Sequence, residues 1–310
     1  MNREPIDSKV VRCLLNGAVP ERKTEITALL AEIRPQFFLH EDRGTLCFHA
    51  KDAEIAFSHE TMRLFWLLGF VGWRIFRAYC PAVLWGTATA QRVSDLIKQD
   101  QGFQEAEVDF KMLLLAARAL EGAESAAALE WPAGIPEPQA DKSKISDVQD
   151  QAAFDLYVGA ATYAFLHELR HVWHYRQPSR PSDWTEEEID CDVFARSFIM
   201  DKIAVFAEKT GYPFDKLVNK RAMGIALGAW IVYEITPPLG RGGTRTHPPI
   251  ADRLEALIKN MPARQDADFW VWTCTLLMAA TRHRNHPVDP VFDNPEALAM
   301  DLIEKVRQMA

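Results

Sequence analysis

Little in this sequence points to an oxidising compartment, a charged polymer or a lipid bilayer. The five cysteines, Cys13, Cys47, Cys80, Cys191 and Cys274, are odd in number, scattered and without a C-x-x-C pair, so no disulfide framework is expected. The formal net charge is −8 and no run of lysine and arginine interrupts it. That balance argues against general affinity for phosphate backbones or anionic membranes, and nucleic acid is not an expected partner. Long apolar runs are missing as well. The most lipid-like stretch, Leu64 to Trp73, is cut by Arg74, short of the roughly 20 residues that cross a bilayer. It reads as a buried core helix, with no transmembrane segment expected. Residues Met1 to Asp7 carry acids and a proline where a secretory signal has a basic segment and then an apolar one. The cytoplasm is therefore the expected compartment.

What is present is ordinary globular material. A chain of 310 residues with 48% apolar and 25% charged side chains can bury a substantial core. Ile26, Leu29, Leu30 and Ile33 repeat at helical spacing before Pro35, which predicts a helix over 21–33. Three β-like runs follow, Phe37 to His40, Thr45 to His49 and Glu54 to Phe57, the first two separated by the polar turn Glu41-Asp42-Arg43-Gly44. They suggest a small antiparallel meander. Helical patterns then cover 60–79, 89–99 and 104–121, and Pro132, Pro136 and Pro138 mark a connector anchored by Trp131. Beyond it, helices are expected at 148–175, 185–209, 214–235, 250–260, 267–282 and 295–308, with a Gly/Pro-rich loop from Pro237 to Pro249. The expected fold class is mainly α (α+β), a zincin-like helical body with an N-terminal β-meander. Its regions are 1–121, expected to pack into the same body, a connector at 122–145, and a catalytic region at 146–310.

The chemistry centres on His167-Glu168-Leu169-Arg170-His171, an H-E-x-x-H sequence. On a helix, positions i and i+4 share a face one turn apart, so both imidazoles can reach one metal ion, and Zn2+ suits them. Glu168 then stands beside the open coordination position as a candidate general base. A third protein ligand is needed, and the next predicted helix supplies Glu188 and Asp192, again i and i+4. Glu188 can coordinate while Asp192 accepts from the far nitrogen of a ligand histidine, with His167 as the first choice. Glu186 and Glu187 read as acids stabilising a helix first turn. Asp190 points elsewhere, and His174 reads as an outer or surface histidine.

These motifs carry a family resemblance. His167 to His171 followed by Glu188-x-x-Cys191-Asp192-x-x-Ala195 resembles the glutamate-ligand zinc peptidases, the gluzincins, with Cys191 where those usually have alanine. Thr246-His247-Pro248-Pro249-x-x-x-Arg253-Leu254 resembles a T-H-P-x-x-x-x-R segment of membrane-embedded zinc peptidases. Without membrane spans, the better likeness is to the soluble phage-exclusion peptidases of the Lit family. The connector Trp131-Pro132 through Ala140 and the stretch Arg221-Ala222-Met223-Gly224-Ile225-Ala226 are similar to segments of that family, so the likeness covers roughly 127–255. The resemblance implies one zinc held by His167, His171 and Glu188, and a latent protease that aborts infection. It also implies a protein substrate such as elongation factor Tu and an activating phage peptide. Within it, His247 becomes a candidate donor to the oxyanion of peptide hydrolysis, with Arg245 and Arg253 as candidate contacts to the transition state or substrate. Two alternatives stay open, a regulatory or housekeeping peptidase acting on a repressor or stress factor, and a non-catalytic module stabilised by zinc.

Overall fold

The computed structural model describes residues 3–40, 46–121, 130–139, 141–178, 180–284 and 291–310. Four strands open the chain: β1 (Arg3–Ile6), β2 (Gln36–His40), β3 (Phe48–Lys51) and β4 (Glu54–Ser58). The three expected runs are all strands, but they do not form a meander. The sheet order is β1-β2-β4-β3, with β2 and β4 parallel and the outer pairs antiparallel. The cause lies in β4, whose Ile55, Ala56 and Phe57 are all buried. Such an apolar run belongs between two strands rather than at an edge. A tight turn at Asp52, held at φ 58, sends β3 and β4 past each other and leaves β3 on the rim. The anticipated turn at 41–44 lies outside the described residues.

The helices are α1 (Ser8–Ala18), α2 (Lys23–Ile33), α3 (His59–Thr89), α4 (Val93–Gln99), α5 (Gln101–Glu121), α6 (Val148–Arg176), α7 (Trp184–Met200), α8 (Ile203–Thr210), α9 (Phe214–Ile235), α10 (Pro238–Arg241), α11 (Ile250–Lys259), α12 (Asp268–Arg282) and α13 (Pro295–Gln308). At 72% helix with a small mixed sheet, the fold is mainly α, of the α+β kind. The sequence reading left β1 and α1 unassigned; β1 is only four residues, whereas α1 does bury Val11 and Leu15, one turn apart on one face. The helix expected over 185–209 is two. Its break follows Met200, where Arg221 donates to the Ile199 carbonyl at 2.7 Å and so takes up one of the terminal acceptors of α7.

The central helix is α6. The Asp147 side chain caps it by accepting from the Gln149 and Asp150 backbone N–H groups, and it ends at Arg176, two residues before Pro178. Against one side lies α9, and the two backbones nearly touch at Gly159 and Gly224. A Cβ added at Gly224 would stand 3.1 Å from the Gly159 Cα, so this crossing requires residues without side chains. Against the other side lies the sheet. Phe37, Phe48 and Phe57 surround Phe165 edge-on, with ring centroids 6.4, 5.0 and 5.5 Å away. Phe165 is two residues before His167, so this aromatic cluster sets the distance from the sheet to the histidine helix.

By length and composition α3 could cross a membrane, yet 61% of its most apolar stretch is buried inside the protein. The connector lies on this helix. Trp66 Nε1 donates to the Pro136 carbonyl at 2.8 Å, Arg74 donates to that of Gly134, and Trp131 closes back on Ile135. Buried apolar residues from Val11 to Val306 join one continuous core.

Candidate active site

Three elements of the helical body and one strand meet at the H-E-x-x-H turn of α6. His167 and His171 present their Nε2 atoms to each other at 3.2 Å. Glu188, in the second turn of α7, places Oε2 3.3 Å from His167 Nε2 and Oε1 3.2 Å from His171 Nε2. Asp183 caps α7 by accepting from the Thr185 N–H, and the Glu188 carboxylate one turn on faces α6.

The far side of each imidazole is also held. His167 Nδ1 lies 2.9 Å from Asp192 Oδ1, as the i, i+4 relation to Glu188 anticipates. His171 Nδ1 lies 2.8 Å from Glu187 Oε1. Glu187 is fully buried and also accepts from Arg180 at 2.6 Å. Glu187 stands in the first turn of α7, as expected, but it also serves His171 from a buried position. The missed signal was its adjacency to Glu188, because a second imidazole on the same face also needs an acceptor. Tyr163 was missed as well. One turn before His167 on α6, it donates to Asp192 Oδ1 at 2.6 Å.

Arg253, on α11, donates from Nε and NH2 to Asp192 at 2.8 and 2.9 Å, and its NH1 lies 3.3 Å from Glu188 Oε2. It clamps the two carboxylates from inside the protein. His247 brings Nε2 to 3.3 Å from Glu188 Oε1, while its side chain stays 54% exposed. The loop is pinned by Thr244, whose N–H donates to the His247 carbonyl and whose hydroxyl accepts from the His247 N–H. Arg245 is exposed on the same loop and does not line the cavity. His174 is buried rather than superficial, with Nε2 2.8 Å from Asp190, which in turn accepts from Arg170. This pair stands apart from the His167 and His171 nitrogens.

Glu168 faces the opposite wall. Its Oε2 accepts from the backbone N–H of Ala50 on β3 at 2.6 Å. A cavity of about 590 Å³ opens between them, lined by residues 48–52 of the sheet edge, by Tyr163, Glu168, Tyr175 and Trp184, and by His247 and Arg253 across from the sheet.

Charge follows from this packing. Burial works against a charged His167 ring, but the carboxylates of Asp192 and Glu188 outweigh it and push the ring up to about 10. His171 is raised in the same way, with Glu188 as its main support against burial. Burial favours neutral Glu188 and Asp192, yet the histidines and Arg253 hold both well below the usual carboxylate range. Four carboxylates, those of Glu168, Glu187, Glu188 and Asp192, face two guanidiniums, those of Arg180 and Arg253. With both imidazoles neutral the carboxylates exceed the guanidiniums by two, which favours added positive charge, as protons on the rings or as a bound cation.

The donor set can be tested against a zinc ion. Ligand atoms about 2.0–2.2 Å from a tetrahedral zinc stand ~3.3–3.6 Å from one another, close to the spacings among His167, His171 and Glu188. Carboxylates on both Nδ1 atoms leave both Nε2 atoms for the metal, which is the usual arrangement of metal-ligating histidines. The Cys191 sulfur also lies within 4.8 Å of the two imidazole donors. Burial and the surrounding carboxylates push that thiol up, which disfavours the thiolate a metal would need. Glu188 is the better third donor, standing 3.2–3.3 Å from both Nε2 atoms and already ionised.

The sequence model of the peptidase U49 family matches residues 55–273. The chain belongs to that Lit-type family. The U49 match runs from β4 into α12 and so takes in every residue of the cluster. No curated protein and no solved structure matches this U49 peptidase.

Proposed function

We propose that this peptidase is a zinc-dependent endopeptidase of the gluzincin type, with His167, His171 and Glu188 as ligands of one zinc per chain. One observation carries the reading. The Nε2 atoms of His167 and His171 and the carboxylate of Glu188 converge at 3.2–3.3 Å, with a carboxylate behind each ring and Glu168 on the same cavity wall. When bound, zinc supplies a Lewis acid that polarises the scissile carbonyl and acidifies a water molecule. Glu168 takes the proton from the attacking water and delivers it to the leaving amine nitrogen. Asp192 and Glu187 fix the orientation of the two imidazoles. If the Thr246 hydroxyl, 2.8 Å away, donates to His247 Nδ1, Nε2 carries the proton and can donate to the oxyanion. Arg253 is the positioning clamp for Asp192 and Glu188.

The free edge of β3 offers the substrate a place to lie. Lys51 and Glu54 close the hairpin, so the Ala50 N–H points away from β4 and toward the cavity, where Glu168 accepts it. An extended peptide that pairs there by β-augmentation displaces Glu168 from that N–H and leaves its carboxylate free for the water. The substrate is therefore a protein presenting an extended segment. In keeping with the Lit-type family, we propose a latent cytoplasmic protease that cuts a translation factor such as elongation factor Tu when a phage peptide activates it. Five free cysteines suit a reducing compartment.

The test is metal analysis of purified protein followed by comparison of proteome cleavage by wild type and Glu168→Gln, with and without candidate phage peptides. The expected result is about one zinc in both, with cleavage reduced about 10²–10⁴-fold in the variant. Retained metal with identical peptide patterns in the two proteins refutes the enzyme reading. Cleavage of a repressor or stress factor in place of elongation factor Tu makes it a regulatory peptidase instead.

A further inference from the structure

A second charged cluster lies at the far end of α9, built around Tyr233 and Glu234. Arg118 from α5 and Arg284 just past α12 both reach Glu234, at 3.3 and 3.1 Å to Oε2, and a second Arg284 contact goes to Oε1 at 3.3 Å. A third guanidinium, that of Arg241 on α10, stands 4.7 Å from the centre of the Tyr233 ring, and Arg284 stands 4.8 Å from it. Glu234 can offset only one of these charges. Among the described side chains of this cluster, three guanidiniums face one carboxylate, a surplus of two positive charges.

Arg241 is only 8% exposed and, among the described residues, makes no hydrogen bond or ion pair. The Tyr233 hydroxyl beside it is also buried without a partner among the described residues. Burying a guanidinium without an acceptor is costly, and each unsatisfied buried donor adds to that cost. Burial, with Arg284 and Arg118 nearby, depresses Arg241 below its ordinary range, while Tyr233 and Glu234 act the other way. The Arg241 guanidinium can only donate, and the Tyr233 hydroxyl can donate as well as accept. A partner that accepts hydrogen bonds and carries negative charge on several oxygens satisfies both.

We propose that Arg118, Arg241, Arg284 and the Tyr233 hydroxyl form a binding site for a phosphate group, free or carried by a small molecule. The planar guanidinium fork suits such an oxyanion, and a tetrahedral dianion has enough acceptor oxygens for three arginines and a phenol. The site is separate from the histidine centre but mechanically close to it. Val232, Ile235 and Thr236 of the same helical end line the main cavity, and α10 begins the loop that ends at His247. Anchoring Arg241 therefore fixes one end of that loop. The inference does not depend on the metal chemistry proposed above.

Thermal unfolding of the full chain at constant ionic strength tests the site, with inorganic phosphate and ATP compared against chloride. Phosphate is expected to raise Tm saturably, with at least tenfold weaker half-saturation in Arg241→Gln and an intermediate loss in Tyr233→Phe, which keeps the ring and removes only the hydroxyl. Arg264→Gln, which removes an exposed charge elsewhere, is expected to respond as wild type. A response to ATP alone assigns the site to an organic phosphate and a response to both assigns it to the phosphate group itself; either supports the proposal. If Arg241→Gln does not fold, Tyr233→Phe decides the question by the same ratio. An equal effect of chloride, no saturation, or unchanged half-saturation in the variants overturns it.

Discussion

Replacing Asp192 with asparagine separates metal binding from simple packing more sharply than any other single change in this molecule. The carboxylate accepts from Arg253 Nε and NH2 at 2.8 and 2.9 Å and from Tyr163 at 2.6 Å, and lies 2.9 Å from His167 Nδ1. Asparagine keeps the shape but loses the charge and turns one acceptor into a donor that faces Arg253. Removing one partner of a buried ion pair typically costs about 3–5 kcal/mol, because the remaining charge is left uncompensated. Arg253 keeps a contact to Glu188 at 3.3 Å, so the low end, roughly 3 kcal/mol, is expected. For a chain of this size that corresponds to a fall in Tm of about 6 °C. Independently, loss of a carboxylate behind a ligand histidine weakens metal binding by about 10–100-fold.

Zinc affinity is read by competition with a chelator of known affinity, and Tm by melting the metal-free protein. The control is Asp190→Asn on the same helix. Asp190 pairs with Arg170 and His174 and its side chain is 40% exposed, so its zinc affinity is expected to stay within twofold of wild type. If Asp192→Asn lowers Tm while zinc affinity stays within twofold, or if Asp190→Asn loses as much affinity, the assignment of Asp192 to the His167 ligand is wrong.

Two further perturbations test the frame. Gly224→Ala gains about 1 kcal/mol of helix propensity but drives a methyl to 3.1 Å from the Gly159 backbone. The overpacking cost of about 1–3 kcal/mol should win, giving a less stable protein by denaturant unfolding; a more stable one contradicts the close crossing. The second concerns pH. Burial favours a neutral Glu107, but hydrogen bonds from Arg282 and Tyr79 and the Arg282 charge hold it at about 2 against an ordinary 4.5. A depressed folded-state value means the stabilisation is fully present above 4.5 and is lost as pH falls toward 2. It amounts to roughly 3 kcal/mol at most. The stability gap between wild type and Glu107→Gln should therefore narrow between pH 5 and pH 2.5, and a gap independent of pH refutes the pairing.

The residues that one helix could place were legible in the sequence. His167, Glu168 and His171 are related by helical period alone, and so are Glu188 and Asp192, so their mutual geometry followed once each stretch was read as helix. The same periodicity reproduced α9 residue for residue and α6 to within one residue. What depended on packing between elements was not legible. The order β1-β2-β4-β3 could not be read because alternation marks strands but not their neighbours, and only the burial of β4 reveals that it is internal. Nor does periodicity show that β3 would meet Glu168, since that contact is set by the phenylalanines gathered around Phe165.

Glu187 marks the limit most clearly. Successive helical residues lie about 100° apart, so a helix viewed alone lets either Glu187 or Glu188, but not both, face a single point. Both serve the histidines because they do not address a single point. Glu188 meets the Nε2 atoms, while Glu187 reaches the opposite, Nδ1 side of His171 at 2.8 Å. A neighbouring pair of carboxylates can thus occupy the inner and outer sides of one pair of imidazoles when the partner helix offers histidines one turn apart. The useful sequence test is whether each proposed ligand histidine has its own acceptor. Asp192 had been assigned to His167, and His171 still required one.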